Sequence, residues 1–262
     1  MKTTARAVAA ATLSTLLLAA GCGGGGDSDS VTSDAAAPAT GAGDGSGDGS
    51  GDGSGDGAAA KPAGGTDCAY VAGGGGGAKK ATLPEPKAQT KPSYATLTTN
   101  QGTIVIELDA AAAPCTVNSF VNLATQKFYD GSPCHRLLDS VSGGATYAVL
   151  QCGDPTGTGT GGPGYTFADE NLDGATYSKG VVAMANSGPN TNGSQFFMMF
   201  KDSDFSADYA PFGKVLSGVA VLEKVAKGGR SVNKDTGAQD VPKTKLIVKK
   251  VTIGTKAPAG AK

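Results

Sequence analysis

The chain has 262 residues, a formal net charge of −1, five cysteines and a single histidine. That length holds one large domain or two small ones. The near-neutral balance gives no sign of the basic face that nucleic-acid binding requires, so no nucleic acid is expected. One histidine and no CxxC spacing leave no zinc site to expect, and no metal or cofactor is expected.

The first element in chain order is a leader. Lys2 and Arg6 precede an apolar run of about 14 residues, Ala7 to Ala20, too short to span a bilayer as a mature helix. It ends in Leu18-Ala19-Ala20-Gly21-Cys22, small residues before a cysteine that resemble a bacterial lipobox. On that reading residues 1–21 are a signal peptide and Cys22 is lipidated. It anchors the chain at the extracytoplasmic face of the cell membrane. Ordinary secretion with cleavage after Ala20 or Gly21 is the alternative. The mature chain then carries 20 basic and 23 acidic side chains, a net charge of −3.

Residues 22–92 are rich in Gly, Ala, Ser, Asp and Lys and nearly devoid of large apolar side chains. Little there could offset the entropy of ordering, so a disordered linker is expected. A four-residue Gly-Asp-Gly-Ser repeat runs from Gly43 to Gly57. Calcium-binding β-helix repeats need a nine-residue period with an apolar position, so this one reads as a spacer. A Gly-rich coil of about 70 residues spans roughly 45–50 Å. Ala81 to Pro92, with Pro84 and Pro86, is stiffer.

A core-forming domain is expected over residues 93–254, with a flexible tail over 255–262. Tyr94–Thr98 and Thr103–Leu108 are β-rich runs joined by Asn100-Gln101-Gly102, a hairpin signal. Pro114 opens a helix whose Val117, Phe120, Val121 and Ala124 recur at helical spacing. Cys134–Leu138, Ala148–Gln151, Gly180–Met184, Phe196–Phe200 and Leu246–Ile253 read as strands. Val219–Lys227 reads as a second helix, with Val221, Leu222 and Val225 inward and Gly228 as its stop. Many short strands and two separated helices predict a mainly β fold, an antiparallel barrel with helices over its ends.

In an exported chain the four cysteines after Cys22 imply disulfides, with three possible pairings. Cys134 and Cys152 flank a strand–loop–strand unit and can pair across neighbouring strands. Cys68 would then join Cys115 and clip the linker to the domain.

The segment Met184-Ala185-Asn186-Ser187-Gly188-Pro189-Asn190-Thr191-Asn192-Gly193-Ser194-Gln195-Phe196-Phe197 is the most informative. Its turn residues fix the backbone at nearly every step. They leave an amide-and-aromatic surface with no acid, base or nucleophile. This segment joins Cys134-His135-Arg136, Gln151-Cys152-Gly153-Asp154-Pro155, Gly159-Thr160-Gly161-Gly162, Phe167-Ala168-Asp169-Glu170-Asn171 and Phe212-Gly213-Lys214-Val215 in one ordered series. From Ala95 to Ile253 the series resembles the cyclophilins, peptidyl-prolyl cis-trans isomerases built on an eight-stranded barrel with two capping helices.

The resemblance implies Arg136 as the catalytic residue. It implies Gln151, Asn186 and Gln195 as peptide-binding positions, Phe197 as the floor of a proline pocket, and Gly159 and Ala185 as small groove positions. Val149 stands where the family usually has Met, and Ala148 where it usually has Phe. A one-residue bulge could bring Tyr147 into the pocket instead. Phe205 falls near the usual Trp, and the usual His is replaced near Tyr209 or Ala210.

The implied chemistry is the non-covalent twisting of an X–Pro amide. A twisted proline nitrogen regains a lone pair, and a guanidinium, always charged, offers it fixed donors. His135 neighbours Arg136 on a strand, so it should face the other way as a hydrogen-bonded structural residue. Asp169 and Glu170 are adjacent in an extended segment and serve the loop. The implied partners are proline-containing polypeptides, with the chain acting as a monomer in the folding of exported proteins. The alternative is a proline-peptide-binding or chaperone module with weak turnover. A solute-binding lipoprotein would need two α/β lobes, for which the domain is too short and strand-rich.

Overall fold

The computed structural model describes residues 67–74, 79, 81–91, 93–142 and 144–261. The leader, Cys22 and the repeat lie outside the described residues. The elements are β1 (Tyr70–Ala72), β2 (Ser93–Thr99), β3 (Thr103–Leu108), α1 (Pro114–Thr125), β4 (Ser132–Pro133), β5 (Arg136–Ser142) and β6 (Ala145–Cys152). They continue with β7 (Tyr165–Phe167), β8 (Val181–Met184), β9 (Phe196–Met199), β10 (Pro211–Ser217), α2 (Val219–Lys227), β11 (Arg230–Val232), β12 (Gln239–Pro242) and β13 (Ile247–Gly254).

The main sheet runs β4–β13–β2–β3–β10–β8–β9–β6–β5, and its paired neighbours are antiparallel. Its two end strands are consecutive in the chain. Cys134 donates its N–H to the Leu246 carbonyl and His135 donates to the Gln151 carbonyl, so one bent stretch leaves β13 and joins β6. That stretch curls the sheet closed; taken as one strand, β4 and β5 reduce nine strands to eight.

Alternation along each strand fills the interior. Leu97, Ile104, Ile106, Leu150, Val182, Met198, Phe200 and Phe212 point inward and are buried. The helix α1 covers the core with Val117, Phe120, Leu123 and Ala124, while Val121 is only half-buried. Pro114 occupies its first turn, where a missing N–H costs nothing. Ala113 offers no side-chain cap. The cap comes from Glu170, whose carboxylate accepts the N–H of Cys115 at 3.1 Å and both the N–H and hydroxyl of Thr116 at 2.7 and 2.8 Å. The short helix α2 buries Leu222 and Val225, with Val221 half-buried, and stops at Gly228.

Two disulfides are present, Cys68–Cys115 and Cys134–Cys152, with Cα separations of 5.4 and 4.0 Å. The linker expected over residues 22–92 ends earlier than that, because residues 67–74 and 81–91 pack on the domain. Cys68 ties them to α1, and β1 pairs antiparallel with β7. The Tyr70 ring meets Tyr165 and Phe167 edge-on, each 5.7 Å away. Its hydroxyl donates to the Cys115 carbonyl at 2.8 Å and accepts from the Asn118 amide. Beside these, Thr82 and Glu85 bond the amides of Asn122, Gln126 and Asn118, so a strap whose Gly/Ala/Pro composition carries no packing signal is tied down along its length.

Candidate functional site

Strand register aligns the site. Arg136 on β5 pairs with Gln151 on β6, Gln151 with Phe197 on β9, and Phe197 with Ala183 on β8. Directly paired residues share a face, so one row runs from a guanidinium across an amide to a phenyl ring. The next row is Leu138, Val149 and Met199. Both rows lie on the outer face of the curled sheet, away from the main core.

Arg136, Gln151, Gly159, Ala185, Asn186 and Gln195 meet around one groove of about 1000 Å³. Their amides are ordered by the chain. Gln151 donates from Nε2 to Gln195 Oε1 at 2.8 Å, and Gln195 Nε2 donates to the Gly159 and Gly161 carbonyls at 2.8 and 2.9 Å. Asn186 donates from Nδ2 to the Asp208 carbonyl at 2.7 Å and accepts the Gly188 N–H. Thr191 closes its own turn, its hydroxyl accepting from Ser187 N–H and donating to the Gly188 carbonyl. Asp169 pins that loop through Asn190 and Asn192, so it and Glu170 are both structural.

The loop after β6 is organised by Asp154, a fully buried residue. Its carboxylate accepts N–H bonds from Thr156, Gly159 and Gly161 and hydroxyl bonds from Thr156 and Thr158. Burial alone would raise this carboxyl. The bonds from Thr156, Gly161 and Gly159 outweigh it and hold it below the ordinary carboxylate value. A Cβ at Gly161 would fall on the Asp154 carboxylate, so only glycine lets this loop close.

Tyr147, Val149, Phe197 and Phe205 lie together in the adjoining apolar cluster with Tyr177 and Tyr209. Phe197 is 1 % exposed, under rings of Tyr209 at 5.3 Å and Phe205 at 5.7 Å, and it does not line the groove. Phe205 also meets Tyr147 edge-on at 5.1 Å. Tyr147 reaches this face without a bulge, because β5 and β6 pair in unbroken register and Tyr147 stands two residues from Val149. The same period turns Ala148 the other way. Expected at the pocket, it is instead wholly buried in the barrel core.

His135 was expected to be a hydrogen-bonded structural residue. Both of its ring nitrogens are buried with no hydrogen-bond partner among the described residues, and it borders the groove against Gly159. Burial holds its pKa below the ordinary 6.5, with nearby Asp154 acting in the opposite direction.

The sequence reading missed the β11–β12 hairpin. This two-stranded unit forms one wall of the groove through Ser231, Asn233 and Thr236. It delivers Asp240, whose Oδ2 lies 3.3 Å from Arg136 Nε. Nothing local marks Asp240, since its role depends on a partner about 100 residues away. Asp154 was legible in principle as the acid opening a Thr/Gly alternation full of free N–H groups.

Known proteins share this architecture. The sequence profile of the family described as "Cyclophilin type peptidyl-prolyl cis-trans isomerase/CLD" matches residues 94–253. A protein of Mycobacterium leprae named "Probable peptidyl-prolyl cis-trans isomerase B" is 41% identical over 205 residues, covering 72% of this chain and 67% of its own length. Its namesake in Mycobacterium tuberculosis is 40% identical over 205 residues, covering 72% of this chain and 64% of its own. The chain thus spans about two thirds of the length of these relatives. The crystal structure of a Cryptosporidium parvum cyclophilin type peptidyl-prolyl cis-trans isomerase matches with a TM-score of 0.54 at 29% identity, covering 64% of this chain and 99% of that one. A structure of the same protein in the presence of the dipeptide Ala-Pro gives 0.53.

Proposed function

The chain belongs to the cyclophilin-type peptidyl-prolyl cis-trans isomerase family, and from that premise we propose that it isomerises X–Pro bonds with Arg136 as the catalytic residue. The observation that carries this is that Arg136 pairs with Gln151 and shares one groove with Asn186 and Gln195, a cation set among three amides.

The reaction needs no acid, base or nucleophile. Amide rotation faces a barrier of about 18–20 kcal/mol, and X–Pro isomers exchange over tens to hundreds of seconds unaided. A site accelerates this by holding the twisted amide better than either planar form. A 10⁵-fold acceleration requires about 7 kcal/mol of such preference. Arg136 would donate to the proline nitrogen as it regains its lone pair. Gln151, Asn186 and Gln195 would hold the flanking backbone. Exchange spectroscopy on an X–Pro peptide tests this without a coupling protease. Cis and trans signals should merge in exchange rate on adding protein, and unchanged exchange would remove the reading.

A second reading has a specific observation in its favour. Phe197 lies under Phe205 and Tyr209 and is closed off from the groove. A covered floor favours a module that captures proline segments and turns over slowly. Phe205→Ala separates the two, since opening the floor should raise turnover in a throttled isomerase.

The proposed setting is the outer face of a membrane, with Cys22 lipidated and exported polypeptides as clients. The leader pattern of residues 1–21 supports it. So do two disulfides, which persist in oxidising compartments. Fractionation of cells expressing the full chain should place it with membranes, and Cys22→Ala should release it.

A further inference from the structure

We propose that Asp240 is a positioning residue for Arg136: its carboxylate pins Nε so that the guanidinium meets the substrate in one orientation. This rests on the isomerase reading above. Arg136 Nε and Asp240 Oδ2 are 3.3 Å apart, with the two side chains only 15% and 12% exposed. In such a half-dry site the pair is held more firmly than on an open surface.

The two partners come from different parts of the fold. Arg136 begins β5 of the main sheet, while Asp240 lies on the separate β11–β12 hairpin. That hairpin is fixed by its own ladder, by Asn233 N–H to the Ala238 carbonyl at 2.7 Å and by Lys243 N–H to the Gly229 carbonyl at 3.0 Å. Asp240 is therefore a fixed post beside a long, rotamer-rich side chain.

Its bonding differs from that of Asp154, the buried carboxylate that orders the loop after β6. Asp154 accepts five bonds and organises a loop. Asp240 Oδ1 is buried with no hydrogen-bond partner among the described residues. An unsatisfied buried oxygen costs stability and calls for an explanation. Here the other oxygen of the same group holds the catalytic guanidinium.

Two effects oppose each other. The carboxylate neutralises part of the positive field that would favour the twisted amide, and it also fixes the donor geometry. Geometry is expected to win, because an arginine that loses this contact is held less firmly and must be re-ordered more in each transition state. Neutralisation alone predicts the opposite sign.

The test is a graded series, Asp240→Asn and Asp240→Ala, assayed for X–Pro isomerisation with kcat and KM resolved. Asn keeps the shape and an acceptor but loses the charge; Ala loses both. The expected kcat order is wild type above Asn above Ala, with Ala about tenfold down, the scale of one charge-assisted hydrogen bond. KM should stay within about twofold, since a contact made in the transition state moves kcat. In an Arg136→Ala background Asp240→Ala should cost nothing further. A kcat that rises or holds on removing the carboxylate, or an equal loss in both backgrounds, overturns the proposal. If Asp240→Ala does not fold, Asn alone decides, a threefold fall in kcat being required. Wild-type protein without turnover would instead sink the isomerase reading and this inference with it, so the two failures are distinguishable.

Discussion

Replacing Cys134 and Cys152 together by alanine should lower both stability and turnover. The disulfide closes a loop with a sequence separation of 18. On the chain-entropy account a loop of that size contributes roughly 3 kcal/mol. For a domain of this size about 2–4 °C of Tm follows each kcal/mol, so a fall of about 6–12 °C is expected by calorimetry. The bond also lies where β4 gives way to β5, two residues before Arg136 and one after Gln151. Loosening it should therefore misplace the guanidinium and lower kcat several-fold. Cys68→Ala with Cys115→Ala is the control. Its sequence separation of 47 implies a greater stabilisation, roughly 4 kcal/mol, yet it ties down only the N-terminal strap. That pair should lose stability with kcat within about twofold. If the Cys134/Cys152 variant shifts Tm by under about 2 °C and keeps full kcat, backbone bonds alone close the barrel. The disulfide then neither stabilises the domain nor positions Arg136.

Three further outcomes are expected. Gly161→Ala places a Cβ on the Asp154 carboxylate; the loop must shift, and KM for an X–Pro peptide should rise about three- to thirtyfold, the loss of one or two hydrogen bonds. Glu170→Ala strips the N-terminal cap of α1; thermal unfolding should show a loss of about 1–2 kcal/mol with kcat unchanged. His135 is held neutral by burial, so the unfolded chain binds its proton at the ordinary value of 6.5 while the folded chain resists. That contribution is fully present above about pH 6.5 and lost as pH falls towards the lowered folded value; Tm measured from pH 8 to 5 should decline less in His135→Asn than in the wild type.

Much of the fold is legible in the residues because local and tertiary preferences agree. The Asn100-Gln101-Gly102 hairpin, the Pro114 helix and the Val219–Lys227 helix appear where turn chemistry and periodicity put them. The strand β10 escapes notice because its apolar residues are broken by Gly213 and Lys214 and its register shifts twice. The strap at 67–91 is concealed by composition, since it is held by one tyrosine, one disulfide and backbone hydrogen bonds that leave no apolar periodicity. At the site, motif order leads to Arg136, Gln151, Asn186 and Gln195, which the fold gathers around one groove. Period-two alternation decides against Ala148 once the register is known. Asp240 was out of reach, since a pairing between distant strands leaves no mark on local sequence.

On the reading proposed above, a non-covalent site built around Arg136 twists X–Pro amides. A protease-coupled isomerisation assay comparing wild type with Arg136→Ala tests it most directly. Wild type should exceed the solvent rate by orders of magnitude, and Arg136→Ala should lose about two to three of them in kcat/KM, the scale of one preorganised charged donor. Peptide binding should persist in the variant, because Gln151, Asn186 and Gln195 remain. A wild-type rate no faster than solvent, or an Arg136→Ala rate within threefold of wild type, would contradict the account.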